Sequence, residues 1–137
     1  ASNDAHALLR KIIDHDTIEY KEQFYVLCLS RSNHVLGYFL HSTGGLSGTL
    51  VDVKQILAVA IQSNAASIIL SHTHPSGNVK ASNADTTLTR KIVQGATILD
   101  LLVLDHIIVT KESYYSFADD GLLPESTFSD NRTRERH

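Results

Sequence analysis

The chain has 137 residues, enough for one domain with a real hydrophobic core. An apolar fraction of 42% and a charged fraction of 20% are ordinary for a soluble globular protein, and a net charge of -3 offers no electrostatic footprint for nucleic acid. The one cysteine, Cys28, excludes an internal disulfide and a cysteine-based zinc site, and no apolar run approaches the ~20 residues that span a bilayer.

In chain order, residues 5–13 (AHALLRKII) carry apolar side chains at helical spacing and predict a short N-terminal helix. Phe24–Ser30 is rich in aromatic and β-branched residues and reads as a strand, with Cys28 a buried structural thiol in it. A polar break at Arg31-Ser32-Asn33 precedes a second strand over Val35–His41, so the two read as an antiparallel hairpin. Ser42–Gly48 is a Gly/Ser loop. Asp52 is a good N-cap for a helix over 53–64, with Ile56, Leu57, Ala60 and Ile61 as its apolar stripe. Ser67–Ser71 is a short apolar strand, expected to be buried on both faces. Pro75-Ser76-Gly77-Asn78 is a turn, and a helix over 83–96 follows, with Leu88, Ile92 and Val93 on one face. Leu101–Val109 predicts a strand interrupted by Asp105-His106, and a last short strand lies near Tyr114–Phe117. From Asp119 the chain turns polar. The order α-β-β-α-β-α-β-β predicts an α/β (α+β) domain, a mixed sheet flanked by helices.

The chemistry concentrates in HTHPSGNVKASNAD, residues 72–85. In extended chain, residues two apart point the same way, so His72 and His74 can converge on one metal ion. Of the remaining histidines, His6, His15, His34, His41 and His137 show no ligand spacing. Ser82-x-x-Asp85 resembles a capping box, which by itself would explain both residues structurally. An Asp in the first turn of a helix that follows the histidine strand is also well placed to meet a metal there. Pro75 fixes φ and Gly77 permits a left-handed turn, so the chain can double back around the site.

HxHPxG with Ser and Asp at these offsets resembles the JAMM (MPN+) zinc metalloprotease motif, closest to its bacterial RadC-like branch. The stretches KEQFYVLCLS, Gly48-Thr49, AASIILSHTHPSG, LDHIIV and YSFADDG resemble that branch in the same order. The resemblance covers roughly 18–122. It divides the chain into an N-terminal helical extension over 1–17, the RadC-like domain, and a polar tail over 123–137. It implies a JAMM/MPN-like (cytidine deaminase-like) architecture with His72, His74 and Asp85 as zinc ligands. Ser82 would hydrogen-bond the tetrahedral intermediate or orient the attacking water. Glu22 matches the position of the catalytic glutamate, with Glu19 a nearby competitor; apart from the resemblance, Glu22 reads as an exposed carboxylate leading a strand.

The chain departs from the branch at Thr73, where Asn is usual, at Ala81, where Pro is common, and at 51–54, where His-Pro-Arg is usual. None of these removes a ligand. Zinc-bound imidazoles commonly donate their other N–H to a carboxylate or carbonyl, which makes Asp105 a candidate partner. A strand-end carboxylate paired with a surface cation is the alternative account of Asp105, and His106 reads as a packing or surface residue.

The expected function is zinc-dependent hydrolysis of a peptide or isopeptide. The alternative is a non-catalytic protein- or DNA-binding module associated with DNA repair. Nucleobase deaminases are excluded, because their His-x-Glu and Pro-Cys-x-x-Cys elements are missing. Expected partners are a peptide or protein substrate, with no membrane and with nucleic acid unsupported by the charge; short strands with exposed edges allow a homodimer. No signal peptide opens the sequence, so a bacterial cytoplasmic location is expected. The lack of methionine, even at position 1, reads as a processed or excised chain.

Overall fold

The computed structural model describes residues 2–13, 16, 18–44 and 51–125. Gly48 and Thr49, His15, and the tail beyond 125 with His137 lie outside the described residues. The elements are α1 (Ser2–Ile12), β1 (Glu22–Leu29), β2 (Val35–Gly44), α2 (Val53–Gln62), β3 (Ser67–Thr73), α3 (Asn83–Ile98), β4 (Leu102–Val109) and β5 (Tyr114–Ser116). Every expected element is present in the expected order. β4 runs unbroken through Asp105 and His106 rather than being interrupted by them.

The sheet order is β2-β1-β3-β4-β5. β1 is antiparallel to both β2 and β3, β3 is parallel to β4, and β4 is antiparallel to β5. The β1–β2 hairpin closes where Ser30 N–H donates to the His34 carbonyl at 2.8 Å, with Asn33 at φ 64. Asn tolerates that left-handed conformation better than most residues. The parallel β3–β4 pair needs a crossover, which α3 supplies. β3 is buried along its whole length at the centre of the sheet, as its uninterrupted apolar run predicts.

Side chains alternate across the sheet. Phe24, Val26, Ile68 and Leu70 pack on one face against Ile56, Leu57 and Ala60 of α2 and Ile92 and Ala96 of α3. The two helices approach closely at Gly95, where a Cβ would come within 2.7 Å of Leu57 Cδ1. On the other face Leu27, Ile69, Ile107 and Val109 pack against Leu9 and Ile13, at the end of α1.

One irregularity matters for the site. The β3–β4 register shifts between Ile68 and Ile69, so Ile68 faces Val103 while Ile69 faces Asp105. This bulge absorbs Leu104 and fixes which way the next residues point. Asp105 joins Ile69 on the α1 face, and His106 joins Leu70 on the α2/α3 face. Among the described residues no helix is long and apolar enough to cross a membrane.

Candidate metal centre

β3 ends at the mouth of the sheet, and its last residues carry His72 inward on the α2/α3 face. The chain then turns: His74 N–H donates to the Val109 carbonyl at 3.0 Å, and Gly77 N–H donates to the His74 carbonyl at 3.1 Å. Gly77 adopts φ 82, the conformation the turn requires and only glycine takes without strain. The turn delivers the chain to Ser82, the N-cap of α3. Both halves of the capping box form: Asp85 N–H donates to Ser82 Oγ at 3.0 Å, and Ser82 N–H donates to Asp85 Oδ2 at 2.8 Å. That pairing aims the Asp85 carboxylate back at the two histidines.

The donor atoms converge. His72 Nε2 and His74 Nε2 are 2.8 Å apart. Asp85 Oδ1 is 3.2 Å from His72 Nε2, and Asp85 Oδ2 is 3.4 Å from His74 Nε2. Donors around a tetrahedral ion with bonds of about 2.0–2.1 Å are roughly 3.4 Å apart. The donor atoms therefore stand at three corners of a polyhedron whose two edges to Asp85 are about the right length and whose edge between the imidazoles would open on binding, and two imidazoles with a carboxylate fit a borderline-soft divalent ion. Glu22 joins them, so that ligand atoms of Glu22, His72, His74 and Asp85 all lie within 4.8 Å of one another. The competitor Glu19 is turned away and pairs with Lys111 at 2.8 Å.

Electrostatics prepare the carboxylate. Burial pushes Asp85 up, but hydrogen bonds from His72, His74 and the Ser82 N–H overcome it and hold the carboxyl well below the usual range. Hydrogen bonding to Asp85 raises His74 against the opposing effect of burial. A deprotonated Asp85 is the form a metal ion requires.

Asp105 is hydrogen-bonded to neither His72 nor His74. Its Oδ1 accepts from His106 N–H at 2.7 Å and Ala118 N–H at 3.0 Å, and its Oδ2 accepts from the Ser116 hydroxyl. It points to the α1 face, opposite to His72, and ties β4 to the end of β5. The neighbour His106 takes the place expected for it. His106 is fully buried, neither surface nor mere filler, and its Nε2 lies 2.7 Å from His72 Nδ1. Burial keeps this imidazole well below its ordinary range. Phe24 stacks on His72 with ring centroids 6.0 Å apart, and Phe117 stacks on His106 at 4.8 Å.

Thr73, the departure from Asn noted above, also acts here. Its hydroxyl donates to the Lys21 carbonyl at 3.0 Å and accepts from Gln23 N–H at 2.9 Å. It thus clamps the residues on either side of Glu22 to the end of β3.

A mixed sheet helix-covered on both faces, with a His-x-His, an Asp and a Glu gathered at one strand end, defines an α+β domain built around a candidate metal site. The chain belongs to the RadC-like JAB domain family, whose model matches residues 1–122. It is 40% identical over 122 residues to a UPF0758 protein of Flavobacterium johnsoniae, covering 89% of this chain and 52% of the relative. It is 42% identical over 115 residues to a UPF0758 protein of Fusobacterium nucleatum, covering 84% of this chain and 48% of the relative. It is 37% identical over 123 residues to the UPF0758 protein YkfG of Escherichia coli K12, covering 90% and 78%. The chain spans about half the length of the first two relatives.

Proposed function

We propose that this domain hydrolyses an amide bond, in a peptide or an isopeptide, with a zinc ion held by His72, His74 and Asp85. The observation that carries the reading is Glu22, a carboxylate from a separate strand that lies within 4.8 Å of the three-ligand cluster. Three protein ligands leave a position open to water, the arrangement of catalytic rather than structural zinc sites. When bound, the ion supplies Lewis-acid polarisation of a carbonyl and a water of lowered pKa.

The chain's own residues do the rest. Glu22 takes a proton from the attacking water and delivers it to the departing amine nitrogen. Thr73 holds Glu22 in place through the backbone on both sides of it. Ser82 Oγ accepts from Asp85 N–H, which leaves its own hydrogen as a donor to the oxygen that gains charge as the carbonyl becomes tetrahedral.

The test is zinc content by mass spectrometry, followed by hydrolysis of fluorogenic peptide and isopeptide substrates by wild type and Glu22→Gln. The expected outcome is about one zinc per chain in both proteins, with turnover lost on the order of 10²–10⁴-fold in the variant. A second reading has the same observation behind it: Glu22 is near enough to serve as a fourth ligand, closing the site. The domain would then be a binding module, and Glu22→Gln would lower zinc affinity instead.

A further inference from the structure

Hydrogen-bond partners decide which imidazole nitrogen is left bare for a metal. For His74 the partner is a carbonyl: Nδ1 lies 2.7 Å from Asn78 O. A carbonyl only accepts, so Nδ1 carries the hydrogen and Nε2 faces the cluster without one when the ring is neutral.

His72 is less constrained, because its Nε2 faces the Asp85 carboxylate, an acceptor 3.2 Å away that favours a hydrogen there until a metal takes its place. Its Nδ1 lies 2.7 Å from His106 Nε2, and either nitrogen can donate. His106 Nδ1 in turn lies 2.6 Å from Thr89 Oγ1, which reaches the Asp85 carbonyl at 2.7 Å. These groups form a chain with two self-consistent proton arrangements. In one, Thr89 donates to His106 and His106 donates to His72. The His72 hydrogen then sits on Nε2 and points into the cluster, where it blocks a metal. In the other, every donor reverses: His72 Nδ1–H to His106, His106 Nδ1–H to Thr89, and Thr89 O–H to the Asp85 carbonyl. Only the second leaves His72 Nε2 bare.

We propose that Thr89 and His106 are positioning residues that hold His72 in its metal-accepting tautomer once an ion replaces the His72–Asp85 hydrogen bond, by ending this chain on the Asp85 carbonyl. The inference rests on the reading of His72, His74 and Asp85 as ligands. Thr89 and His106 are both fully buried, so solvent does not supply an acceptor, and an interior N–H without one is costly. The Thr89 hydroxyl can accept from His106 and donate onward at once, because α3 places it one turn below Asp85. The chain begins on the side chain of one ligand and ends on the backbone of another, joining β3, β4 and α3 behind the site.

The experiment is zinc affinity by chelator competition for wild type, Thr89→Val and Thr89→Ser, with metal-free thermal unfolding of each. It is paired with ¹⁵N NMR of histidine tautomers in the zinc-loaded wild type. Thr89→Val should weaken zinc binding by about 10–100-fold, while Thr89→Ser, which keeps the hydroxyl, stays near wild type. A merely structural role would move the unfolding midpoint and leave affinity alone. The spectra should show hydrogens on Nδ1 of both His72 and His106. Equal affinity for Thr89→Val and wild type, or a hydrogen on His106 Nε2 with zinc bound, overturns the proposal. If all three proteins fail to take up zinc, the metal reading itself falls. If Thr89→Val does not fold, the wild-type spectra decide alone.

Discussion

Asp105 and His106 are adjacent on one strand, both buried and both polar, yet they serve different ends. Asp105 looks onto the α1 face and gathers two backbone N–H groups and a hydroxyl where β4 meets β5. His106 looks onto the α2/α3 face and abuts a candidate ligand. A single bulge, one residue absorbed opposite Ile68 and Ile69, decides which is which. The comparison teaches that a buried polar residue near a metal motif is assigned by the face it occupies, and that chemical type alone misleads.

The sharpest way to break that contrast is Asp105→Ala. It strands two buried donors, the His106 N–H and the Ser116 hydroxyl, and the half-buried Ala118 N–H, and should cost about 3 kcal/mol of stability by denaturant titration, with zinc affinity unchanged. A loss of zinc affinity without loss of stability would reverse the assignment. A smaller effect probes a residue that crosses the divide. Thr73 alternates onto the α1 face yet braces Glu22. Thr73→Val should reduce turnover about tenfold or more through misplacement of the base, with metal content intact and Thr73→Ser close to wild type.

The smallest effect concerns pH. Burial raises the Asp105 carboxyl above its ordinary value, against the bonds it accepts from Ser116, Ala118 and His106. The folded state then holds its proton more tightly than the unfolded chain does. Its contribution to stability is therefore full below the unfolded pKa of ~3.9. It declines as pH rises through the folded value and is flat above it. Asp105→Asn should remove that declining component when stability is measured across mildly acidic pH and compared with wild type.

Much of this is legible in the sequence. The elements could be read because apolar periodicity, Asp52, Gly77 and the capping box each have a local cause. That His72, His74 and Asp85 would gather could be read because HxH and SxxD are local patterns that the resemblance joins. The partner of His72 could not. It depends on a β-bulge between strands distant in sequence, and nothing in LDHIIV marks which residue faces α3. The role of Thr73 was hidden for the same reason, since its partners Lys21 and Gln23 meet it only through the β1–β3 register. Among the described residues Glu22 was placed by resemblance, and its position in the cluster follows from that register, which pairs Phe24 with His72.

That register has a consequence for folding. The cluster draws on β1, β3 and the start of α3, with β4 behind it, so no local loop can preform it. The ligands meet only after sequence-distant strands have paired, a slow kind of contact to close. Any ion that binds the native cluster and not the unfolded chain would therefore act on the whole sheet at once, raising its melting temperature with ion concentration by mass action. Loading would register as global cooperativity across the domain, not as the stiffening of one turn.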